Sequence, residues 1–79
     1  MLFKEAVSMR ILELCNIYNY TPNKLAELSG IAPSTLQGII SNKVENPSTY
    51  ILYKICNTLN ITIKDFFDSS LFNKDNIIN

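Results

Sequence analysis

Between Thr21 and Lys43 the chain reads TPNKLAELSGIAPSTLQGIISNK, and its two prolines and first glycine divide it into two short helical lengths. Thr21 is a suitable N-cap, and Pro22 follows at the first helical position, where its missing N–H is not needed. Leu25, Ala26 and Leu28 are expected on the inner side of PNKLAELS. Gly30 stands where a chain leaving a helix takes a left-handed turn. Pro33 starts the next helix in the same way, and Leu36, Ile39 and Ile40 form its apolar face.

The flanking sequence carries the same period. Phe3, Val7, Ile11, Leu14 and Tyr18 recur at spacings of four, four, three and four, which predicts one face of a first helix. Asparagines in NIYNY end it. After the loop SNKVENPS, Ser48 caps a fourth helix with Leu52, Ile55, Cys56 and Leu59 inward, and Asn60 closes it. Thr62 caps a fifth, TIKDFF, with Asp65 three residues on as an acidic near-match to a capping box. No stretch alternates like a strand, and there is no repeat. The expected fold is all-α: a compact five-helix domain over residues 1–68. The tail 69–79, SSLFNKDNIIN, has no firm period and reads either as a subunit contact or as a frayed end.

Several function classes are excluded or disfavoured. Seventy-nine residues make one small domain, and 47% hydrophobic residues are too many for a disordered chain. No apolar run is long enough to span a membrane. Glu5, Arg10 and Glu13 interrupt MLFKEAVSMRILELC, which removes a signal-peptide core, so the expected location is the cytoplasm. The chain has no histidine. Cys15 and Cys56 are far apart among apolar residues and read as buried free thiols rather than metal ligands. Asp65 and Asp68 lie one turn apart, as solvated helix-end carboxylates do. No paired catalytic carboxylates, phosphate loop or nucleophile constellation is present. The expectation is a non-enzyme with no cofactor and no metal.

Helix, short glycine-containing turn, helix is the helix-turn-helix signature. Ala26 is small enough for close helix packing, Gly30 makes the turn, Ile31 and Leu36 plug the angle, and Leu25 and Ile39 close the core beneath. Together with NPS opening the fourth helix and LNITIKDFF ending the domain, these residues make the chain resemble the Cro/phage-repressor type of helix-turn-helix family from about Ile11 to Phe67. That resemblance implies a five-helix (lambda-repressor-like) domain whose third helix enters the major groove of double-stranded DNA, in a transcriptional repressor or activator acting as a homodimer. Three positions depart from the family pattern. Cys15 replaces an arginine near the end of the first helix, Ile40 replaces a glutamate late in the third, and Asn42 replaces the usual glycine after it.

The family's base-contacting positions correspond to Pro33, Ser34, Gln37 and Gly38. The amide of Gln37 can pair in bidentate fashion with adenine N6 and N7, and Ser34 discriminates less. Pro33 offers apolar contact to a thymine methyl, and Gly38 permits a closer backbone approach. Residue types alone favour a solvated helix face, and it is the family resemblance that turns the reading toward DNA. Lys24 and Lys43 flank the helix as phosphate contacts, with Thr21, Asn23, Thr35, Asn42 and Asn46 as neutral donors around them. Seven basic and seven acidic residues give zero net charge, unlike most dedicated nucleic-acid binders. That balance keeps a second expectation alive: a protein-interaction module, such as an antitoxin-like or anti-regulator partner, with the same fold and weak DNA affinity. Phe66, Phe67, Leu71, Phe72, Ile77 and Ile78 give the C-terminal end apolar surface for a homodimer contact.

Overall fold

The computed structural model describes residues 1–78; the last residue of the tail, Asn79, lies outside the described residues. Among the described residues the chain forms five α-helices: α1 (Phe3–Tyr18), α2 (Pro22–Ser29), α3 (Pro33–Ile40), α4 (Thr49–Leu59) and α5 (Ile63–Phe67). A 3-10 turn, Ser70–Phe72, follows them.

Most boundaries have a local cause. Thr21 Oγ1 accepts from the Lys24 N–H at 3.1 Å, and Ser48 Oγ accepts from the Tyr50 N–H at 3.1 Å. Thr62 and Asp65 cap α5 reciprocally, at 3.0 and 2.9 Å. Leu2 cannot cap α1 with its side chain, so Glu5 accepts from the Leu2 N–H at 2.7 Å instead. Helix exits use left-handed residues: Asn19 (φ 59°), Gly30 (φ 69°), Asn42 (φ 64°) and Asn60 (φ 57°).

The core gathers Val7, Ile11, Leu14 and Cys15 of α1, Leu25 and Ala26 of α2, and Leu36 and Ile39 of α3. Leu52, Ile55, Cys56 and Leu59 of α4 and Phe66 of α5 complete it, with Ile31 plugging the turn between α2 and α3. Three residues expected on inner faces are exposed. Leu28 is 48% exposed, because the seat of α2 is made by Leu25 and Ala26 and Leu28 lies at its edge. Phe3 and Tyr18 sit at the two ends of α1 and are also exposed, although the Phe3 ring stacks on Phe67 of α5 with centroids 6.4 Å apart. Ile40 is half-buried and packs against the core margin.

Directional ties join the helices. Ser29 and Thr58 link α2 to α4 through their hydroxyls at 2.6 Å. Thr58 in turn donates to the Lys54 carbonyl at 3.2 Å, so Ser29 is the donor between the two. Arg10 reaches the end of α5, donating from Nε to the Phe66 carbonyl at 2.7 Å and from Nη2 to the Asp65 carbonyl at 2.8 Å.

The tail folds back on the first helix. Phe72 packs edge-on to Phe67 with centroids 4.8 Å apart and lies 6.1 Å from Phe3. The Ile78 N–H donates to the Met1 carbonyl at 2.8 Å, forming an isolated bridge beside Leu2. Phe66 is fully buried, whereas Phe67, Leu71, Phe72 and Ile77 are half-buried and Ile78 is exposed.

Candidate nucleic-acid interface

α3 is two turns long and is seated by Leu36 and Ile39, both buried. That seating fixes what faces outward. Pro33, Ser34, Thr35, Gln37 and Ser41 are exposed, a strip free of acidic side chains. Gln37 has no side-chain hydrogen bond within the chain among the described residues, so its amide is available to a ligand. Gly38 is half-buried: a Cβ there would lie 3.6 Å from Val44 Cγ2, in the loop that follows α3. Its open side is therefore shared with that loop.

The flanking residues divide into two kinds. Thr21, Asn23, Lys24, Lys43 and Asn46 are exposed, and the Thr21 oxygen is already engaged as the α2 cap. Asn42 is half-buried, and its Oδ1 is buried without a partner among the described residues. Its evident role is the left-handed exit that turns the chain out of α3.

Electrostatics narrow the supply of cations. Lys24 Nζ stands 3.8 Å from Glu27, one turn along α2. Lys4 Nζ is 2.5 Å from Glu45, so a cation on α1 neutralises the acid next to the Lys43 loop. Arg10 is turned toward α5 and Glu13. Lys43 is in no ion pair among the described residues. Both thiols are buried, and burial pushes Cys15 up; Cys56 is raised by burial first and by the charge of Asp65 second.

Sequence reasoning missed three long-range side chains: Ser8, Arg10 and Lys4. Ser8 is the one buried polar residue among those described, and a serine amid Ala6, Val7 and Ile11 is the signal that could have marked it. Lys4 and Arg10 lie on the half-exposed flank of α1 and look like ordinary surface cations in the sequence.

No group of metal-ligating side chains occurs among the described residues, and no helix there is long and apolar enough to cross a membrane. A shallow groove of about 330 Å³ lies between Phe3, Phe67, Phe72, Lys74 and Ile77, away from α3.

Comparison with known proteins agrees with this geometry. The model of the Cro/C1-type HTH DNA-binding domain matches residues 10–70. Among solved structures, the chain is similar to prophage Lp1 protein 11, with 33% identity and a TM-score of 0.83 over 94% of this chain and 99% of that one. No curated protein matches it. With α2, the Gly30 turn and α3 all inside the matched span, the chain belongs to the Cro/C1-type helix-turn-helix family of DNA-binding domains.

Proposed function

We propose that this protein is a sequence-specific transcriptional regulator, in its plainest form a small repressor, that inserts α3 into the DNA major groove. The exposed, acid-free strip of Pro33, Ser34 and Gln37 on a helix seated by Leu36 and Ile39 carries this reading. Gln37 is the main base reader, Ser34 and Pro33 assist, and Gly38 allows close approach. Lys24 and Lys43, the neutral donors Thr21, Asn23, Thr35, Asn42 and Asn46, and the free N–H groups at the starts of α2 and α4 hold phosphates. Two copies reading half-sites about 34 Å apart supply the specificity that one short helix lacks. The apolar C-terminal end is the proposed contact between copies. Likeness to a protein encoded by a prophage fits a small regulator of this type.

The test is titration into DNA from upstream of its own gene against a scrambled control. Selective binding that Gln37→Ala weakens supports the reading; equal, weak binding to both DNAs overturns it.

One observation favours a second reading, a protein-interaction module. Lys4, Arg10 and Lys24 are all engaged with acids or carbonyls of the same chain, leaving few cations for phosphate. Equal, weak DNA binding would favour this module.

A further inference from the structure

A helix leaves its last four carbonyls without intrahelical partners. In α3 those belong to Gln37, Gly38, Ile39 and Ile40. The first three are met locally. The Gln37 oxygen accepts from the Ser41 N–H at 2.9 Å and the Ser41 hydroxyl at 2.8 Å. The Gly38 oxygen accepts from the Lys43 N–H at 3.0 Å, and the Ile39 oxygen from the Asn42 N–H at 3.2 Å. No backbone N–H reaches the Ile40 oxygen among the described residues. It accepts from Ser8 Oγ, on α1, at 2.6 Å.

The Ser8 side chain is otherwise out of place. It is 4% exposed, next to Ala6 and Val7 at 0%, where a methyl group would fill nearly the same space. A buried hydroxyl is stabilising only when bonded. The remaining contacts that seat α3, from Leu36 and Ile39, are apolar. Apolar packing selects the inner face of a helix and restricts its crossing angle, but it is non-directional and supplies no single contact that fixes the end of the helix. The N-terminal end of α3 adds no side-chain cap, since Ala32 occupies that position. The Ser8 hydrogen bond is thus the one directional tie between α1 and α3 among the described residues.

We propose that Ser8 is a positioning residue for the reading helix: its hydroxyl, bonded to the last carbonyl of α3, fixes the orientation in which Gln37 meets DNA. This rests on the reading of α3 as the DNA-reading helix. Gln37 is one turn before the tie, so any swing of the C-terminal end of α3 moves its amide.

The experiment uses the full chain, ¹⁵N-labelled, as wild type, Ser8→Ala, Ser8→Cys and Ser8→Thr. Backbone residual dipolar couplings give the orientation of α3 relative to α1 in the free protein. In Ser8→Ala the α3 couplings depart from the frame set by α1 while those of α2 and α4 still fit it. Ser8→Cys, with similar volume and a weak donor, behaves like Ser8→Ala, and Ser8→Thr, which keeps the hydroxyl, returns α3 to the wild-type frame. Unchanged α3 couplings in both Ser8→Ala and Ser8→Cys overturn the proposal. The same proteins are then titrated into own-upstream and scrambled DNA at a temperature where circular dichroism shows each fully folded. The selectivity ratio is expected to fall about tenfold in Ser8→Ala, the scale of one discriminating base contact. Retained selectivity with a reoriented α3 also overturns the proposal. Absence of selectivity in the wild type instead overturns the reading of function, and the couplings still decide what Ser8 does.

Discussion

Arg10 and Phe66 are 56 positions apart, yet the Arg10 guanidinium donates from Nε to the Phe66 carbonyl at 2.7 Å. The same side chain reaches the Asp65 carbonyl and pairs with Glu13, so one residue of α1 closes the C-terminal end of α5. Hydrogen bonds from charged donors contribute about 1.5–3 kcal/mol each. Arg10→Met is expected to lower stability by about 2–3 kcal/mol, measured by urea denaturation, because the Phe66 carbonyl loses its partner and the Asp65 carbonyl keeps only the Asp68 N–H, at 3.2 Å. Arg10→Lys should restore only part of this, since an ammonium lacks the planar fork that serves both oxygens.

Gly38→Ala should separate stability from binding. The added Cβ meets Val44 at ordinary contact distance, and Gly38 has no left-handed backbone to protect. The substitution is expected to stabilise α3 by about 1 kcal/mol, which for a domain of this size raises Tm by roughly 4–8 °C. If Gly38 serves close approach to DNA, affinity for the selected DNA falls in the same variant. A variant that gains stability and keeps full affinity would show that the glycine has no part in binding.

The salt dependence of DNA binding should be shallow. Lys24 shares its charge with Glu27 and Lys4 is held by Glu45, so neutral donors and backbone N–H groups must hold much of the phosphate. With about two or three phosphates neutralised per copy, a dimer gives a slope of roughly −4 to −5 in log K against log salt. A slope steeper than about −8 would contradict this account of the contacts.

Asp65 makes stability sensitive to acid. Hydrogen bonds from Thr62, backbone first and side chain second, hold its carboxyl below the ordinary carboxylate range, with a smaller contribution from Lys64. A carboxyl lowered in the folded state binds its proton more readily when unfolded. Its stabilisation is therefore fully present above the ordinary carboxylate pKa and is lost as pH falls through the lowered one. Thermal melts of wild type and Asp65→Asn should differ near neutral pH and converge at the acid end. A difference that persists undiminished into strong acid would show that the cap works without the charge.

What the sequence revealed follows the range of the interactions. Most helix boundaries are set by a neighbour within a few positions: Thr21 with Lys24, Ser48 with Tyr50, Thr62 with Asp65, and the asparagines after α1 and α4. Such signals survive in a single sequence. Ser8 to Ile40, Lys4 to Glu45 and Arg10 to Phe66 join residues 32, 41 and 56 positions apart, and no local pattern announces them. Leu28 was misplaced because an eight-residue helix shows too few turns for its period to define a narrow face. The tail escaped for a different reason: Phe72 is held by aromatic rings from α1 and α5 rather than by a period of its own. At the interface, the exposure of Pro33, Ser34 and Gln37 follows from the period of Leu36 and Ile39. The neighbour of Gly38 in the next loop does not.

Three of the four left-handed helix exits are asparagines, at 19, 42 and 60, and only Gly30 is a glycine. An asparagine accepts the left-handed region at some local cost, while a glycine frees the unfolded chain to wander more widely. Replacing the three with glycine would relieve backbone strain in the folded state and at the same time enlarge the unfolded ensemble. The two effects oppose each other, so the stops of α1, α3 and α4 hold much of their worth in the denatured chain, where no native contact is visible.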